Sequence, residues 1–290
     1  MTINGYTRTC GLIGNPVEHT MSPAIHNTLA EALSENLVYV PFHVPDGKLR
    51  EAVEGAFALN LLGCNVTVPY KSQVIPFLKE IDPLAEKIGA VNTLVRVKEG
   101  FKGYNTDMPG LLQAMREDGV MPEGEKVLIL GAGGAARAVA MLLSEQGASQ
   151  IIILNRTVKK AEELAREVNT ASGRQLARAM ALEDYLSLPG GEKYLAVQTT
   201  NLGMFPRVEE AVIEDRTFYE KIHTGYDLIF NPSMTKFMSL VEESGGRAFN
   251  GLKMLLYQGV IAYELWTGAK VGEEFAGKAY REMRRAMGLE

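Results

Sequence analysis

Short apolar runs alternate with amphipathic stretches along most of the chain, and this pattern predicts an α/β fold. Seven runs have the length and apolar character of strands; they lie at residues 9–13, 37–43, 63–68, 127–130, 150–154, 195–199 and 226–230. Eight stretches have apolar positions at helical spacing; they lie at residues 23–33, 48–59, 108–117, 135–145, 158–169, 236–243, 252–266 and 273–287. Because strands and helices alternate, we expect parallel sheets.

The composition is that of an ordinary globular protein. The chain has 290 residues, of which 46% are hydrophobic and 22% charged, which suits two domains or one large one. Asp and Glu outnumber Lys and Arg by 35 to 30, and the isoelectric point is near 5.6. A nucleic-acid partner is therefore not expected, whereas a small basic pocket for one anionic ligand is compatible with this balance.

Neither a membrane partner nor a metal site is expected. Residues 1–16 lack the basic and apolar segments of a signal peptide, and the most apolar stretch, 127–143, is too short and polar to span a bilayer. Cys10 and Cys64 lie outside any CxxC pair and have no His neighbours at metal spacing. We therefore expect a cytoplasmic protein with reduced cysteines.

The most specific local motif is a glycine-rich loop between a predicted strand and a predicted helix. The pattern G-x-G-x-x-A is formed by Gly131, Ala132, Gly133, Gly134, Ala135 and Ala136. Gly131 permits a tight turn, Gly133 lets the backbone approach a pyrophosphate, and Ala136 allows close packing of helix on strand. Because a helix N-terminus offers free N–H groups to phosphates, the loop predicts a dinucleotide site.

The end of the next strand predicts which dinucleotide is bound. Proteins that bind NAD usually place Asp or Glu there to hold the ribose 2′-hydroxyl, but this chain has Asn155, Arg156 and Thr157. A guanidinium can bind a 2′-phosphate, and Lys160, one helical turn further on, adds a second cation. We therefore predict NADP(H) rather than NAD, although Arg156 taken alone is equally compatible with a solvated side chain.

Polar residues also follow the N-terminal strands, where ligand sites of α/β proteins form. Ser22 followed by Pro23 is typical of a helix N-cap, and the hydroxyls of Thr20 and Ser22 can also bind a carboxylate. Both interpretations of Ser22 stay open.

Further along, alternation places Asn65 and Thr67 on one face of a predicted strand, and Lys71 follows directly after it. A lone lysine is usually solvated, and this one is singled out by its polar neighbours. Asn92 lies in a third polar segment, and Asp107 opens a predicted helix, where an acidic residue is suited to capping.

Taken together and in order, these segments resemble the shikimate dehydrogenase family. The matching segments, from about Gly11 to Gln258, are GLIGNPVEHTMSPAIHN, GCNVTVPYK, GAVNTL, GYNTD, GAGGAAR, NRT, NLGM, FNPSMT and NGLKMLLYQ. The resemblance implies a substrate-binding and catalytic α/β domain of residues 1–107 and 252–290. It also implies a Rossmann domain of residues 108–251 that binds NADP(H), with the active site in the cleft between them.

The activity implied by the resemblance is the reversible NADPH-dependent reduction of 3-dehydroshikimate to shikimate, in chorismate and aromatic amino-acid biosynthesis. The implied catalytic pair is Lys71 and Asp107. The implied substrate-binding residues are Thr20, Ser22, Asn65, Thr67, Asn92 and Gln258. The implied cofactor site adds Gly203 and Met204, beside the nicotinamide, to the glycine loop and the cations described above. We expect a monomer or a homodimer.

Two departures from the family pattern leave alternatives open. The family usually has Ser where this chain has Thr20, and Tyr where it has Phe230. Both changes keep the reaction type and bear on substrate preference, so a quinate/shikimate dehydrogenase or a related paralogue is one alternative. A non-catalytic NADP-binding sensor is another, and the presence of Lys71 and Asp107 counts against it, because a binding module needs neither.

Overall fold

The computed structural model describes residues 2–289, whose contacts divide them into two compact units. The first unit runs to Leu111 and resumes at Leu255, and the second spans Leu112–Met254. The strands are β1 (Arg8–Gly14), β2 (Leu37–His43), β3 (Gly63–Val66), β4 (Glu80–Ile81), β5 (Thr93–Val97), β6 (Gly100–Tyr104), β7 (Lys126–Leu130), β8 (Gln150–Asn155), β9 (Ala177–Ala181), β10 (Tyr194–Gln198), β11 (Ile222–Asp227) and β12 (Arg247–Phe249).

Helices connect most of these strands. They are α1 (Ser22–Ala32), α2 (Leu49–Ala58), α3 (Pro83–Ile88), α4 (Asp107–Glu117), α5 (Gly134–Glu145), α6 (Val158–Ser172), α7 (Arg216–Tyr219), α8 (Lys236–Glu243), α9 (Leu252–Thr267) and α10 (Glu273–Ala286). Short 3-10 turns lie at Ile75–Phe77 and Leu182–Ser187. The unit boundaries fall inside α4 and α9.

The first unit has a mixed sheet with the strand order β2-β1-β3-β5-β6-β4. Its strands β1, β2 and β3 are parallel, but β5 is antiparallel to both of its neighbours, β3 and β6. The expectation of parallel strands is therefore wrong for this half of the sheet. The reason is local, since only Lys98 and Glu99 separate β5 from β6, and so short a link allows an antiparallel hairpin only.

Two C-terminal helices complete the first unit. Helix α10 packs against α1, and α9 is anchored where Trp266 Nε1 donates to the carbonyl of Leu94 in β5 at 2.8 Å. Close approach is possible because β3 begins with glycine: a Cβ on Gly63 would lie 2.2 Å from Trp266 Nε1. The end of the chain is thus held on the sheet that its beginning forms.

The second unit has a parallel sheet with the strand order β12-β11-β10-β7-β8-β9. Its central strands are buried on both faces, as expected for a sheet covered by helices, and β7 reads KVLIL. The order reverses direction between β7 and β10. In open parallel sheets, ligands bind at the carboxyl ends of the strands beside such a reversal.

Candidate active site

An ion pair lies among the polar residues that the sequence predicts as a site. Lys71 follows β3 after the turn at Pro69, and Asp107 is the first residue of α4. The Nζ of Lys71 donates to Asp107 Oδ2 at 2.7 Å, and the two side chains are 37% and 18% exposed. Both groups are therefore held in place and still accessible to a ligand.

The amide of Asn92 connects this pair to its surroundings. Its Nδ2 donates to Asp107 Oδ1 at 2.8 Å and lies 3.4 Å from Gln258 Oε1. Its Oδ1 accepts from the backbone N–H of Thr106 at 2.7 Å and from the hydroxyl of Thr93 at 3.1 Å. Because one end of an amide only donates and the other only accepts, these partners fix its orientation.

A continuous series of hydrogen bonds links Asn92 to the hydroxyls at the start of α1. The Thr93 hydroxyl accepts from Asn65 Nδ2 at 3.1 Å, and Asn65 Oδ1 accepts from the phenol of Tyr39 at 2.8 Å. The Ser22 hydroxyl lies beside that phenol and partly offsets the rise that burial causes in its pKa, and Thr20 Oγ1 donates to Ser22 Oγ at 3.2 Å. We call this series, from Thr20 to the Lys71–Asp107 pair, the side-chain chain.

The side chain of Asn65 has protein partners on all sides. Its Oδ1 also lies 3.2 Å from His26 Nε2, and its Nδ2 also donates to the carbonyl of Asn92 at 3.3 Å. Burial lowers the pKa of His26 to about 3, so the ring is neutral and donates through Nε2. Asn65 is only 4% exposed, and in this structure its amide supports its neighbours from behind rather than offering a free group to a ligand.

Two other predicted substrate residues lie differently. The strand predicted at 63–68 is too long, because β3 ends at Val66 and Thr67 begins the turn that leads to Lys71. The hydroxyl of Thr67 makes no hydrogen bond to another side chain or backbone group within residues 2–289, so it is available to a ligand. Gln258 lies in α9, where its Nε2 donates to the carbonyl of Leu255 at 2.8 Å.

Both N-cap predictions were wrong, and the difference bears on the site. Ser22 is the first residue of α1 rather than its N-cap, and its own N–H donates to Thr20 Oγ1 at 3.2 Å. At α4 the capping side chain is Asn105, whose Oδ1 accepts from the N–H groups of Asp107 and Met108 at 3.1 and 3.3 Å. The Ser22 hydroxyl is thus used in the side-chain chain, and the Asp107 carboxylate is left to Lys71.

In the second unit, the glycine loop leads from β7 into α5. Gly131 has a φ of 113°, which favours glycine, and a Cβ there would lie 2.8 Å from Thr199 Oγ1. Gly133 and Gly134 are exposed, and a Cβ at either would meet nothing within 4 Å. Ala136 is buried against the sheet. The loop therefore leaves space in front of the first N–H groups of α5, which have no partner inside the helix.

Cations lie at the end of the neighbouring strand. Arg156 and Lys160 are exposed, and neither side chain forms an ion pair or hydrogen bond with another of the described residues. Arg137 in α5 differs, because its Nε donates to Glu167 Oε2 at 2.6 Å. Asn155 donates through its Nδ2 to the carbonyl of Thr157 at 3.0 Å. Of the residues predicted for a 2′-phosphate, the two cations are thus unengaged, whereas Asn155 is bonded to its own turn.

Gly203 and Met204 lie in a turn that follows β10. The N–H of Gly203 donates to the carbonyl of Arg207 at 3.0 Å, and Met204 is half exposed. Residues 2–289 contain no helix long and apolar enough for a membrane crossing, and no group of three or more His, Cys, Asp or Glu side chains arranged to hold a metal ion.

Three protein families match the sequence. "Shikimate dehydrogenase substrate binding domain" matches residues 12–94, "Shikimate / quinate 5-dehydrogenase" residues 116–187, and "Shikimate 5'-dehydrogenase C-terminal domain" residues 251–274. A relative from Carboxydothermus hydrogenoformans named shikimate dehydrogenase (NADP(+)) is 44% identical over 290 residues, which is 100% of this chain and 99% of the relative. The chain belongs to the shikimate dehydrogenase family.

Solved structures of shikimate dehydrogenases are similar over almost the whole chain. One, in complex with NADP+, has a TM-score of 0.88 at 36% identity and covers 98% of this chain and 97% of its own. The shikimate 5-dehydrogenase of Listeria monocytogenes, solved with shikimate and NAD, has a TM-score of 0.87 at 32% identity, with coverages of 96% and 97%. The predicted family and the predicted two-domain α/β fold are confirmed.

Several residues of the shikimate dehydrogenase site were missed from sequence. Tyr39 and Thr93 complete the side-chain chain, and His26 supports Asn65. Their own segments carry no local signal, because an aromatic or a threonine in an apolar strand is typical of packing. Asn105 had a signal, since Asn directly before a helix is a common capping residue, but Asp107 drew attention first.

Proposed function

We propose that this shikimate dehydrogenase family member reduces 3-dehydroshikimate to shikimate, reversibly and with NADPH, as a step of chorismate biosynthesis. The observation that carries the proposal is the Lys71–Asp107 pair, held at the end of an unbroken side-chain chain that begins at Thr20. A module that only binds a dinucleotide has no use for an oriented ammonium in its other unit, which counts against the sensor alternative.

The side-chain chain fits an alicyclic acid with several hydroxyl groups. Thr20 and Ser22 are proposed to bind the carboxylate, because hydroxyls donate well to anionic oxygens. The free hydroxyl of Thr67 and the amides of Asn92 and Gln258 are proposed to bind the ring hydroxyls. Asn65 keeps its place in the site in a supporting role, because burial leaves its amide no free donor or acceptor.

The second unit fits NADP(H) on structural grounds. A pyrophosphate needs open backbone N–H groups at a helix start, and Gly133 and Gly134 leave that space empty of side chains. A 2′-phosphate needs cations that are not already paired, and Arg156 and Lys160 meet that condition. When bound, NADPH supplies the hydride for the reduction.

The residues of the first unit provide the proton and stabilise the charge. As the ketone becomes an alkoxide, the Nζ of Lys71 stabilises the developing negative oxygen and can donate a proton to it. The Asp107 carboxylate accepts from Lys71 through Oδ2 and from Asn92 through Oδ1, so it holds the ammonium at a fixed position. Because Lys71 and Asp107 are hydrogen-bonded to each other at 2.7 Å, the proton donation is assigned to the pair.

Quinate is the second candidate substrate, and a particular observation favours testing it. Thr20 carries a methyl group that the family's usual serine lacks, and Phe230 lacks the usual phenolic hydroxyl. One of the matching families is described for both shikimate and quinate. Arg156 and Lys160 favour shikimate with NADP, because the family resemblance implies NAD for many of the quinate-active members.

The deciding experiment measures initial rates with shikimate and with quinate, each with NADP+ and with NAD+, by the absorbance of the reduced cofactor. We expect the highest kcat/KM for shikimate with NADP+. A higher value for quinate, or for NAD+ with either acid, would replace the proposal with the second candidate. The predicted monomer or homodimer is tested on the same preparation by light scattering after size exclusion.

A further inference from the structure

A loop in the second unit lies against the glycine loop without belonging to it. It follows β10 and comprises residues 199–204, and a Cβ on Gly131 would lie 2.8 Å from Thr199 Oγ1 and 3.0 Å from Thr200 Cγ2. Strands β7 and β10 are neighbours at the reversal of strand order, where dinucleotides bind. Arg156 at the end of β8 marks the side proposed for the adenosine. The loop after β10 therefore lies on the side of the nicotinamide nucleotide.

One side chain holds this loop in shape. Gln198, the last residue of β10, is buried, and its Nε2 donates to the carbonyls of Leu202 and Thr200 at 3.0 and 3.3 Å. Its Oε1 accepts from the N–H of Thr200 at 2.6 Å. A single amide therefore bonds to the loop backbone at three places, and the bonds form only if the amide has this orientation.

A buried carboxylate lies behind Gln198. Asp227, the last residue of β11, is 0% exposed, and its Oδ1 accepts from the N–H of Ile229 at 2.9 Å and lies 3.5 Å from Gln198 Nε2. Its Oδ2 accepts from the hydroxyl of Thr235 at 2.7 Å. Asp227 forms no ion pair with any of the residues that the structure describes, so its neighbours are neutral donors.

Thr235 is the second side chain that connects Asp227 to the loop. Its hydroxyl accepts from the N–H of Met238 in the first turn of α8 at 3.3 Å, and its Cβ would lie 3.3 Å from a Cβ on Gly203. Asp227 thus orients two side chains that touch the loop from different directions. Gln198 bonds to the loop's carbonyls, and Thr235 packs against its glycine.

We propose that Asp227 is a positioning residue for the nicotinamide half of the cofactor, acting through Gln198 and Thr235 on the loop that carries Gly203 and Met204. The proposal rests on the NADP(H) function proposed above. Asp227 itself touches no ligand. Its two acceptor oxygens fix the loop before the cofactor arrives, so that nicotinamide binding does not have to order the loop first.

The test separates the two halves of the cofactor. Asp227→Asn keeps the shape but turns an NH2 group toward either the Ile229 and Gln198 donors, with which it cannot bond, or Thr235, whose hydroxyl must then change from donor to acceptor. We expect the Kd of NADPH, measured by fluorescence titration without substrate, to rise by roughly three- to tenfold. The Kd of 2′,5′-ADP, which has the 2′-phosphate but no nicotinamide, should be unchanged.

Threonine variants provide the matched controls. Thr235→Val should reproduce the selective loss of NADPH binding, and Thr235→Ser, which keeps the hydroxyl, should restore it. Thr224→Val removes another buried hydroxyl of the same unit, one that contacts His223 at 2.9 Å and not the loop. It should leave the Kd of both ligands unchanged. If Asp227→Asn does not fold, the Thr235 pair decides by the same criterion.

Unchanged NADPH binding in Asp227→Asn and Thr235→Val would overturn the inference, and so would an equal loss of both ligands, which indicates a general disturbance of the unit. Failure of the proposed function looks different, because it shows in the wild-type protein. A wild type that binds NADPH and does not reduce 3-dehydroshikimate refutes the function alone. A wild type that binds neither ligand refutes both.

Discussion

The two units hold their polar residues in opposite ways. In the first unit, the residues from Thr20 to Lys71 are bonded to one another, so the site is ordered before any ligand binds. In the second, Gly133, Arg156 and Lys160 leave space and charge without protein partners. The difference matches the ligands proposed for them. A polyol needs donors and acceptors at fixed positions, whereas phosphates need unpaired donors and cations.

Two buried or half-buried carboxylates show the same contrast. Asp107 receives the ammonium of Lys71, whereas Asp227 receives only neutral donors from Thr235, Ile229 and Gln198. Burial is the largest influence on Asp227 and raises its pKa to about 6, despite those hydrogen bonds. These settings accord with the proposed roles, catalysis for the charge-paired Asp107 and loop positioning for Asp227 with its neutral donors.

The largest expected effect comes from removing the ammonium. Lys71→Ala should lower kcat by on the order of 10²–10⁴, because the developing alkoxide loses its proton donor and its positive neighbour. The Kd of NADPH should be unchanged, since Lys71 belongs to the other unit. Stopped-flow or steady-state rates and fluorescence titration measure the two quantities.

Lys98→Ala is the control for this variant, because Lys98 is an exposed lysine in the turn between β5 and β6 of the same unit. It should keep the wild-type kcat. Turnover of Lys71→Ala at the wild-type rate would remove Lys71 from the mechanism and, with it, the functional meaning of the side-chain chain.

The next effect is on stability and depends on pH. The folded state keeps the Asp227 proton up to about pH 6, whereas the ordinary pKa of an Asp in the unfolded chain is 3.8, so folding stability falls as pH rises through this window. Relative to Asp227→Asn, the wild type should lose about 2 kcal/mol between pH 4 and pH 7. Urea unfolding of both proteins at several pH values measures the difference, and a difference that does not vary with pH contradicts the assignment.

The third effect concerns the unpaired cations. Arg156→Ala should raise KM for NADPH by roughly tenfold to a hundredfold, because a charge-assisted bond to phosphate is lost. KM for 3-dehydroshikimate and for NADH should change little. Arg174→Ala, an exposed arginine of the same unit, is the control. An equal loss with NADH would show that Arg156 does not recognise the 2′-phosphate.

The smallest expected effect tests whether the open glycine loop serves cofactor binding or the fold. Gly133→Ala adds a methyl group where the protein has no atom within 4 Å, so the melting temperature should hardly change. The Kd of NADPH should rise by about tenfold, because the methyl meets the pyrophosphate. A large drop in melting temperature with unchanged binding would indicate that Gly133 is needed by the fold alone.

The sequence predicted the elements whose apolar pattern agrees with their environment. Helix α8 was predicted with its observed bounds, and β7 within one residue, because each shows one clear periodicity between polar ends. Strand β11 was misplaced at 226–230, since it begins in the mixed segment Ile222-His223-Thr224 and ends where Asp227 binds the N–H of Ile229. The apolar residues after position 227 therefore extend the strand pattern in the sequence, although the strand itself ends at Asp227.

Strands without a distinct apolar pattern were missed. Strands β5 and β6 carry charged residues such as Arg96 and Lys102, and β12 has three residues, so none stands out locally. The site shows the same limit. Residues in motifs, such as Lys71 and Arg156, could be singled out, whereas the supporting roles of Tyr39 and Asp227 depend on contacts between separate strands.

The packing of α10 on α1 also determines the order in which the protein can be built on the ribosome. The second unit is continuous in sequence, so all its strands have been translated before α10 is reached. The first unit has to wait for the final helix of the chain. During synthesis, therefore, the parallel sheet can close while the mixed sheet, translated earlier, still exposes the surface that its last helix will cover.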